Sequence, residues 1–254
     1  MRFAANLKWL FAELPFERRF DAAAAAGFTG VECPSPYSVP AAELKRRLDD
    51  AGLTQVLINT PGIACAPDRT TEFRDGFHQA LDYATELNCG LVHVLAGARP
   101  DGVGHDRAFA QFATNIAWAA ERSRDTGVRL VLEAQNKRDS PGFVLASQAQ
   151  AAAVAEAAGH DHVGLLFDVY HVQLDERDLV NRLRAFLPRI FHLQLADPPS
   201  RTEPGTGEIG WPVLFATLRE AGYDGWIGCE YRPTTDIATT LTRLEELARC
   251  PASR

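Results

Sequence analysis

Cysteine is scarce in this chain: Cys33, Cys65, Cys89, Cys229 and Cys250 are scattered, odd in number and form no CxxC pair. That argues against a disulfide frame and reads as reduced thiols in a cytoplasmic protein. No His/Asn pattern accompanies them, which argues against a nucleophilic cysteine. Positive charge is also short, with 26 basic residues against 33 acidic ones and a formal net charge of −7. A nucleic-acid surface would need a basic stripe, so no nucleic-acid partner is expected. Nowhere is there an apolar run of about 18 residues, and MRFAANLKWLFAELPFE lacks a continuous apolar core and carries Glu13 and Glu17 early. Neither a signal peptide nor a membrane span is expected. No GxGxxG follows the first strand-like run, and no linker, low-complexity run or charge block marks a second domain.

What is present suits one large α/β domain over residues 1–254. Hydrophobic residues make up 46% of the chain, ample for a core. Short β-like runs alternate with longer helical patterns. Strands are predicted at Arg2–Asn6, Thr29–Glu32, Thr54–Asn59, Leu91–Leu95, Val128–Glu133, His162–Asp168, Ile190–Leu195 and Gly225–Glu230. Helices are predicted at Phe16–Ala26, Pro40–Ala51, Thr70–Asn88, His105–Thr126, Ala146–Ala158, Leu174–Phe186, Trp211–Ala221 and Asp236–Arg249. Pro40 suits a first turn and Gly52 a C-terminal cap. Strict alternation implies parallel strands joined by helical crossovers. VRLVL and VGLLF are apolar on both faces, as parallel strands covered on both sides are. A closed (β/α)8 barrel needs roughly 250 residues, which this length matches. A doubly wound open sheet is the alternative.

A barrel of this kind carries its site at the C-terminal ends of its strands. Those ends are Asn6, Glu32, Asn59, His93, Glu133, Asp168, Gln194 and Glu230, every one polar. Strands five to eight deliver Glu133, Asp168, Gln194 and Glu230 in succession. Three carboxylates and an amide oxygen with no lysine among them repel one another in a dry pocket, and a divalent cation resolves that repulsion. Oxygen-only ligands favour Mg²⁺ or Mn²⁺ over Zn²⁺. His171 stands three residues after Asp168, and His192 shares a strand face with Gln194 but lies deeper. His93 points into the barrel if Val92 and Val94 point out. His78, His105, His160 and His162 are expected at the surface. Lys8, Lys137, Arg201 and Arg232 lie near strand ends, a cationic rim that suits a small anionic substrate. Arg201 is the best placed, inside the Pro/Gly-rich loop after the seventh strand.

These residues sit in segments that carry a resemblance. RFAANL, AAAAGFTGVE, EFRDGF, VHVLAG, LEAQN with SPGF behind it, FDVYHVQ, HLQLAD, EPGTGEI and GWIGCEY span nearly the whole chain. The chain resembles the hydroxypyruvate isomerase family, within the xylose-isomerase-like barrels that also include ketose 3-epimerases and endonuclease IV. The resemblance implies metal ligands at Glu133, Asp168, Gln194 and Glu230, with Glu133 and Glu230 also the catalytic acid/base pair. His171 matches the family's histidine after the Asp. With Arg201, Asn6, Asn59 and His93, read from their places at the strand ends and in the loop, it makes up the candidate substrate-binding set. Glutamine at 194, where the epimerases usually have histidine, points towards hydroxypyruvate isomerase. VHVLAG with ALDYATELNC leans towards the 2-oxotetronate isomerases of the same family. The loop 60–68 is shorter than the family's, Ile58 replaces a histidine of some members, and Lys8 replaces a small polar residue.

The expected reaction is the isomerisation of hydroxypyruvate to tartronate semialdehyde through an enediolate. The alternatives are a 2-oxotetronate isomerase or ketose 3-epimerase, and outside catalysis a sugar-acid binding barrel. An endonuclease-type phosphodiesterase would want several zinc-binding histidines and a basic face, which this chain does not offer. By analogy with related barrels, a homodimer or homotetramer is expected, to which Trp9, Trp118, Trp211 or Trp226 could contribute.

Overall fold

The structure, a computed structural model, describes residues 1–159 and 161–250, so His160 lies outside the described residues. The strands are β1 Arg2–Asn6, β2 Gly30–Glu32, β3 Thr54–Asn59, β4 Leu91–His93, β5 Arg129–Glu133, β6 Val163–Asp168, β7 Ile190–Leu195 and β8 Trp226–Cys229. Each pairs in parallel with the next, and β8 closes on β1, as the alternation predicted. The α-helices among the described residues are α1 Arg19–Ala25, α2 Ala41–Ala51, α3 Thr70–Glu86, α4 His105–Ser123, α5 Gln148–Ala157, α6 Val169–Asp175, α7 Leu179–Phe186, α8 Trp211–Glu220 and α9 Ile237–Arg249. The fold is a (β/α)8 barrel.

Two apolar layers hold it. Leu130, Val131 and Leu132 are successive and all fully buried, because one face of β5 looks into the barrel and the other under the helices. The inner layer is Ala4, Val56, Leu57, Leu91, Val131 and Leu166, with Phe191 and Trp226 packed against it. The larger layer lies between strands and helices. In α4 the buried residues Ala108, Phe112, Asn115, Ile116, Ala119, Ala120 and Ser123 recur at three- and four-residue spacing, which makes one inward stripe. Pro40 stands just before α2 rather than in its first turn, and Gly52 ends that helix in the left-handed conformation at φ +65°.

One expectation needs correction. The predicted helix Leu174–Phe186 is two helices, α6 and α7, broken where Arg177 and Asp178 both take left-handed φ values, 54° and 48°. Helix α6 begins directly at the end of β6, because Asp168 Oδ1 accepts the backbone N–H of Tyr170 at 2.8 Å and caps it. No Pro or Gly marks either event, so helical periodicity alone ran through them. Two strands also stop short of their predicted ends: β4 at His93 rather than Leu95, and β8 at Cys229, so that Glu230 is the first residue of the loop beyond.

Phe112 is fully buried in the stripe of α4. Phe112→Ala is expected to cost about 3–5 kcal/mol through lost burial and the cavity left behind. A urea titration checks this as a lower midpoint at unchanged slope.

Candidate active site

The register brings the polar strand ends into one ring: Asn6 opposes Glu32, Asn59 opposes His93, and Asp168 opposes Gln194. Glu133, Asp168 and His171 bring one ligand atom each within 4.8 Å of one another. Asp168 is divided in function. Its Oδ1 caps α6, while its Oδ2 lies 3.2 Å from Arg201 Nη2 and 3.5 Å from His171 Nε2. Three residues on, the first turn of α6 carries His171 to the same side as Asp168. Glu133 Oε2 accepts from Gln135 Nε2 at 2.6 Å, and Ser140 Oγ in turn donates to Gln135 Oε1 at 2.7 Å. Glu230 Oε1 accepts from Arg201 Nη2 and from Trp9 Nε1, both at 3.0 Å.

Arg201 reaches this nest because its loop is built around two buried carboxylates. Asp197 accepts from Gly205 N at 2.8 Å, Ile209 N at 3.2 Å and Trp211 Nε1 at 2.8 Å. Glu203 accepts from Thr234 N at 3.0 Å, Thr234 Oγ1 at 2.7 Å and Thr235 Oγ1 at 3.1 Å, which ties the loop to the one after β8. A Cβ on Gly207 would stand 2.0 Å from the Pro198 carbonyl oxygen and 2.6 Å from Asp197 Oδ1, so the EPGTGEI segment needs glycine there. Arg201 itself sits at φ 57° and its guanidinium lies between the rings of Trp9 and Tyr170, 4.7 and 4.8 Å from their centroids. Its Nη2 stands between Asp168 Oδ2 at 3.2 Å and Glu230 Oε1 at 3.0 Å.

Above the nest opens a cavity of about 600 Å³ lined by polar and aromatic side chains, among them Trp9, Gln135, Tyr170, His171 and Glu230. Its cations are Lys8, Arg138, Arg201 and Arg232. The expected Lys137 is not in that lining; its neighbour Arg138 is, held by Tyr170 and by the Pro199 carbonyl at 3.1 Å. Asn59 lines an adjoining cavity of about 370 Å³, which shares Lys8 with the first. Asn6 and His93 line neither. Asn6 is fully buried and donates to Glu32 at 2.7 Å, and His93 is buried with its Nε2 3.6 Å from Glu133 Oε2. Ile58 is wholly in the outer core. Gln135, Arg138 and Tyr170 were not singled out from sequence, and Trp9 was named only for a subunit interface. Trp9, Gln135 and Tyr170 stand within two residues of Lys8, Glu133 and His171, and that proximity was the available signal.

The electrostatics follow from burial. Burial pushes the Glu133 carboxyl well up, and Asp168 and Glu230 add to it, against the opposing Gln135 bond and Arg201. Glu230 is pushed up to about 7 by burial, which Arg201 opposes and Asp168 supports. His93 falls to about 3 and His171 to about 4, both chiefly by burial, so each imidazole is neutral. His171 Nδ1 accepts the backbone N–H of Asn136 at 3.0 Å, so its hydrogen is on Nε2. That hydrogen faces Asp168 and Glu133, which makes His171 a donor into the nest rather than a ligand. The 3.4 Å approach of Arg201 Nη1 to Nε2 is then a contact between two donors. Buried thiols are pushed up likewise, Cys33 and Cys89 to about 12, which leaves no thiolate nucleophile there.

The donor set fits a hard divalent cation. Glu133, Asp168 and Glu230 supply carboxylates, and Gln194 Oε1 is buried without a hydrogen-bond partner. Of the tryptophans expected at an interface, Trp211 is buried at 1% exposure and bonded to Asp197, so it is unavailable for one. His78 and His105 are exposed as expected, whereas His162 is half-buried with Nε2 2.9 Å from the Ala120 carbonyl.

The structure is thus an all-parallel barrel with an acidic nest and a cationic rim at its C-terminal mouth. Residues 20–247 match the family described as the xylose isomerase-like TIM barrel. The 2-oxo-tetronate isomerase of Cupriavidus necator is 41% identical over 94% of this chain and 96% of its own. The hydroxypyruvate isomerase of Escherichia coli is 39% identical over 92% of this chain and 95% of its own. The crystal structure of an AP endonuclease, family 2, from Brucella melitensis superposes with a TM-score of 0.92 at 35% identity, covering 96% of this chain and 98% of that one. The chain belongs to the hydroxypyruvate isomerase family of xylose isomerase-like TIM barrels.

The raised Glu230 carboxyl has a consequence for the metal-stripped protein. A carboxyl held above its unfolded value favours the folded state below about pH 4.3, and that contribution is lost as pH rises through about 7. The depressed histidines act in the opposite direction, so the comparison is wild type against Glu230→Gln, in which their contribution cancels. In chelator, the stability of wild type relative to the variant is expected to fall by about 1–3 kcal/mol between pH 5 and 8. Denaturant midpoints at each pH measure it; a flat difference would contradict the assignment.

Proposed function

We propose that the chain is an isomerase of a small hydroxy-keto acid, and that Glu133 and Glu230 exchange the proton. The observation that carries this is a pair of buried glutamates with raised carboxyls: Glu230 lines a cavity rimmed by Lys8, Arg138, Arg201 and Arg232, and Glu133 lies 3.8 Å from His171 of the same lining. A carboxyl poised near neutrality can both take and return a proton at working pH. Glu133, Asp168, Gln194 and Glu230 would hold Mg²⁺ or Mn²⁺. When bound, the cation supplies Lewis-acid polarisation of the substrate's vicinal oxygens.

The protein's own groups do the rest. The rim cations draw in the anionic substrate, and Arg201, which lines the cavity, binds the carboxylate. His171 Nε2–H donates to a substrate oxygen. One glutamate removes the proton on C3 of hydroxypyruvate, giving an enediolate, and the other returns a proton to C2. The hydroxyl proton moves from O3 to O2, and the product is tartronate semialdehyde. The 41% identical relative is named for 2-oxo-tetronate, and the cavity is roomy beside a three-carbon acid, which favours a four-carbon substrate as the second reading. A ketose 3-epimerase and a non-catalytic sugar-acid binding barrel are the outcomes against which these are tested. The unpaired thiols suit a cytoplasmic location, and a homodimer or homotetramer is part of the proposal.

Metal-stripped protein assayed on hydroxypyruvate, 2-oxotetronate and a ketohexose, with Mg²⁺, Mn²⁺ or chelator, decides among them. Metal-dependent turnover of one keto acid is expected. Turnover of the ketohexose alone would assign an epimerase, and tight ligand binding without turnover a binding barrel. Glu133→Gln and Glu230→Gln are each expected to lower kcat about 10²–10⁴-fold with circular dichroism unchanged. A fully active Glu230→Gln protein would refute the acid/base pair.

A further inference from the structure

Opposite the proposed ligands, at the end of β2, a carboxylate stands that neither the reaction nor the nest uses. Glu32 is fully buried. Three donors from two other strands converge on it: Asn6 Nδ2 at 2.7 Å and Gln194 Nε2 at 2.9 Å on Oε2, and His192 Nε2 on Oε1. Its space comes from Gly228, where a Cβ would stand 1.9 Å from Glu32 Oε1. Gly228 is also the residue paired with Gln194 across β7 and β8. Strands β1, β2, β7 and β8 thus cooperate to seat one carboxylate beneath one amide.

A side-chain amide has two different ends of nearly the same shape. An ionised carboxylate only accepts hydrogen bonds, so the end of Gln194 that meets Glu32 must be the NH₂. The oxygen is then forced to the other branch, and it is this Oε1 that is buried and without a partner. An amide left free to turn about its last torsion could present either end to the site. His192 completes the arrangement: its Nε2 donates to the second carboxylate oxygen of Glu32 and holds it in place.

We propose that Glu32 is a positioning residue, which orients the Gln194 amide so that its oxygen, not its nitrogen, is offered to a divalent cation. This rests on the reading of Gln194 as a metal ligand. Groups behind a ligand commonly tune metal affinity by about 10–100-fold, and loss of Glu32 should act on that scale.

The test measures Mn²⁺ binding to metal-stripped protein by calorimetry, with no turnover involved. Glu32→Gln is expected to weaken Mn²⁺ binding about 10–100-fold. Gln194→Glu added to Glu32→Gln is expected to restore it to within a few-fold of wild type. A carboxylate at 194 has no wrong end, and the amide introduced at 32 can donate to it. Glu32→Gln binding Mn²⁺ as wild type does would overturn the proposal. So would a double variant as weak as the single, since the loss would then come from local collapse. Wild type that binds no Mn²⁺ would remove the metal reading and this one together, whereas binding by wild type with unaffected variants removes only this one. Should Glu32→Gln fail to fold, a crystal structure of Mn²⁺-loaded wild type decides: Gln194 bound through Oε1 with Nε2 on Glu32 supports the proposal. Glu32 itself on the metal, or the amide turned away, overturns it.

Discussion

Four carboxylates, Glu32, Glu133, Asp168 and Glu230, meet at one mouth of the barrel, and the architecture of that mouth follows from the need to satisfy each of them. A buried charge without a partner costs several kcal/mol, on the order of the whole stability margin of a domain. Each carboxylate finds a different solution. Glu32 gathers three N–H donors. Asp168 spends one oxygen on the first turn of α6. Glu133 takes the Gln135 amide, and Glu230 shares Trp9 and Arg201. The solutions interlock: the amide that serves Glu32 belongs to the strand that pairs with Asp168 on one side and Gly228 on the other.

Arg201 shows how a loop can deliver a cation into such a place. A Pro/Gly-rich segment has little apolar surface to anchor it, and conformational entropy opposes its order. Here the anchor is polar. Asp197, buried at 0% exposure, takes up the loop's own N–H groups, and Glu203, at 2%, takes up N–H and O–H groups of the loop after β8. The loop is in effect wrapped on two acids so that one base can be held over three more. The aromatic rings on either side of the guanidinium exclude water and strengthen its field on Asp168 and Glu230.

The division of labour in the barrel follows the same logic. Rigid parallel strands set the acid and amide positions, because register fixes every strand end to its neighbours. The loops supply the cations, Lys8 and Arg232 from the exposed rim and Arg138 and Arg201 from networks that cross between loops. An acidic floor under a basic rim can hold a small anion and a cation at once, the combination that a hydroxy-keto acid isomerase would need.

Much of this was legible in the chain itself, for reasons that are local. Alternation of apolar runs sets strand and helix order, and parallel strands covered on both faces are apolar throughout, so VRLVL could be placed without neighbours. The strand ends bear the polar residues, so Glu133, Asp168 and Gln194 could be named one by one; even Glu230, one residue past its strand, was found. What only the tertiary structure decided depends on partners far apart in sequence. Helix α6 starts at Asp168 because a side chain caps it, and two left-handed residues end it, with no Pro or Gly to announce either. Trp211 is a buried donor to Asp197, a fact of loop closure rather than of aromatic composition. Arg138 rather than its neighbour Lys137 reaches the cavity, held there by Tyr170 and the Pro199 carbonyl from distant parts of the chain. The direction of the Gln194 amide is the clearest case. A glutamine in a sequence has no preferred end, and it acquires one only when a carboxylate 162 positions away closes on its nitrogen.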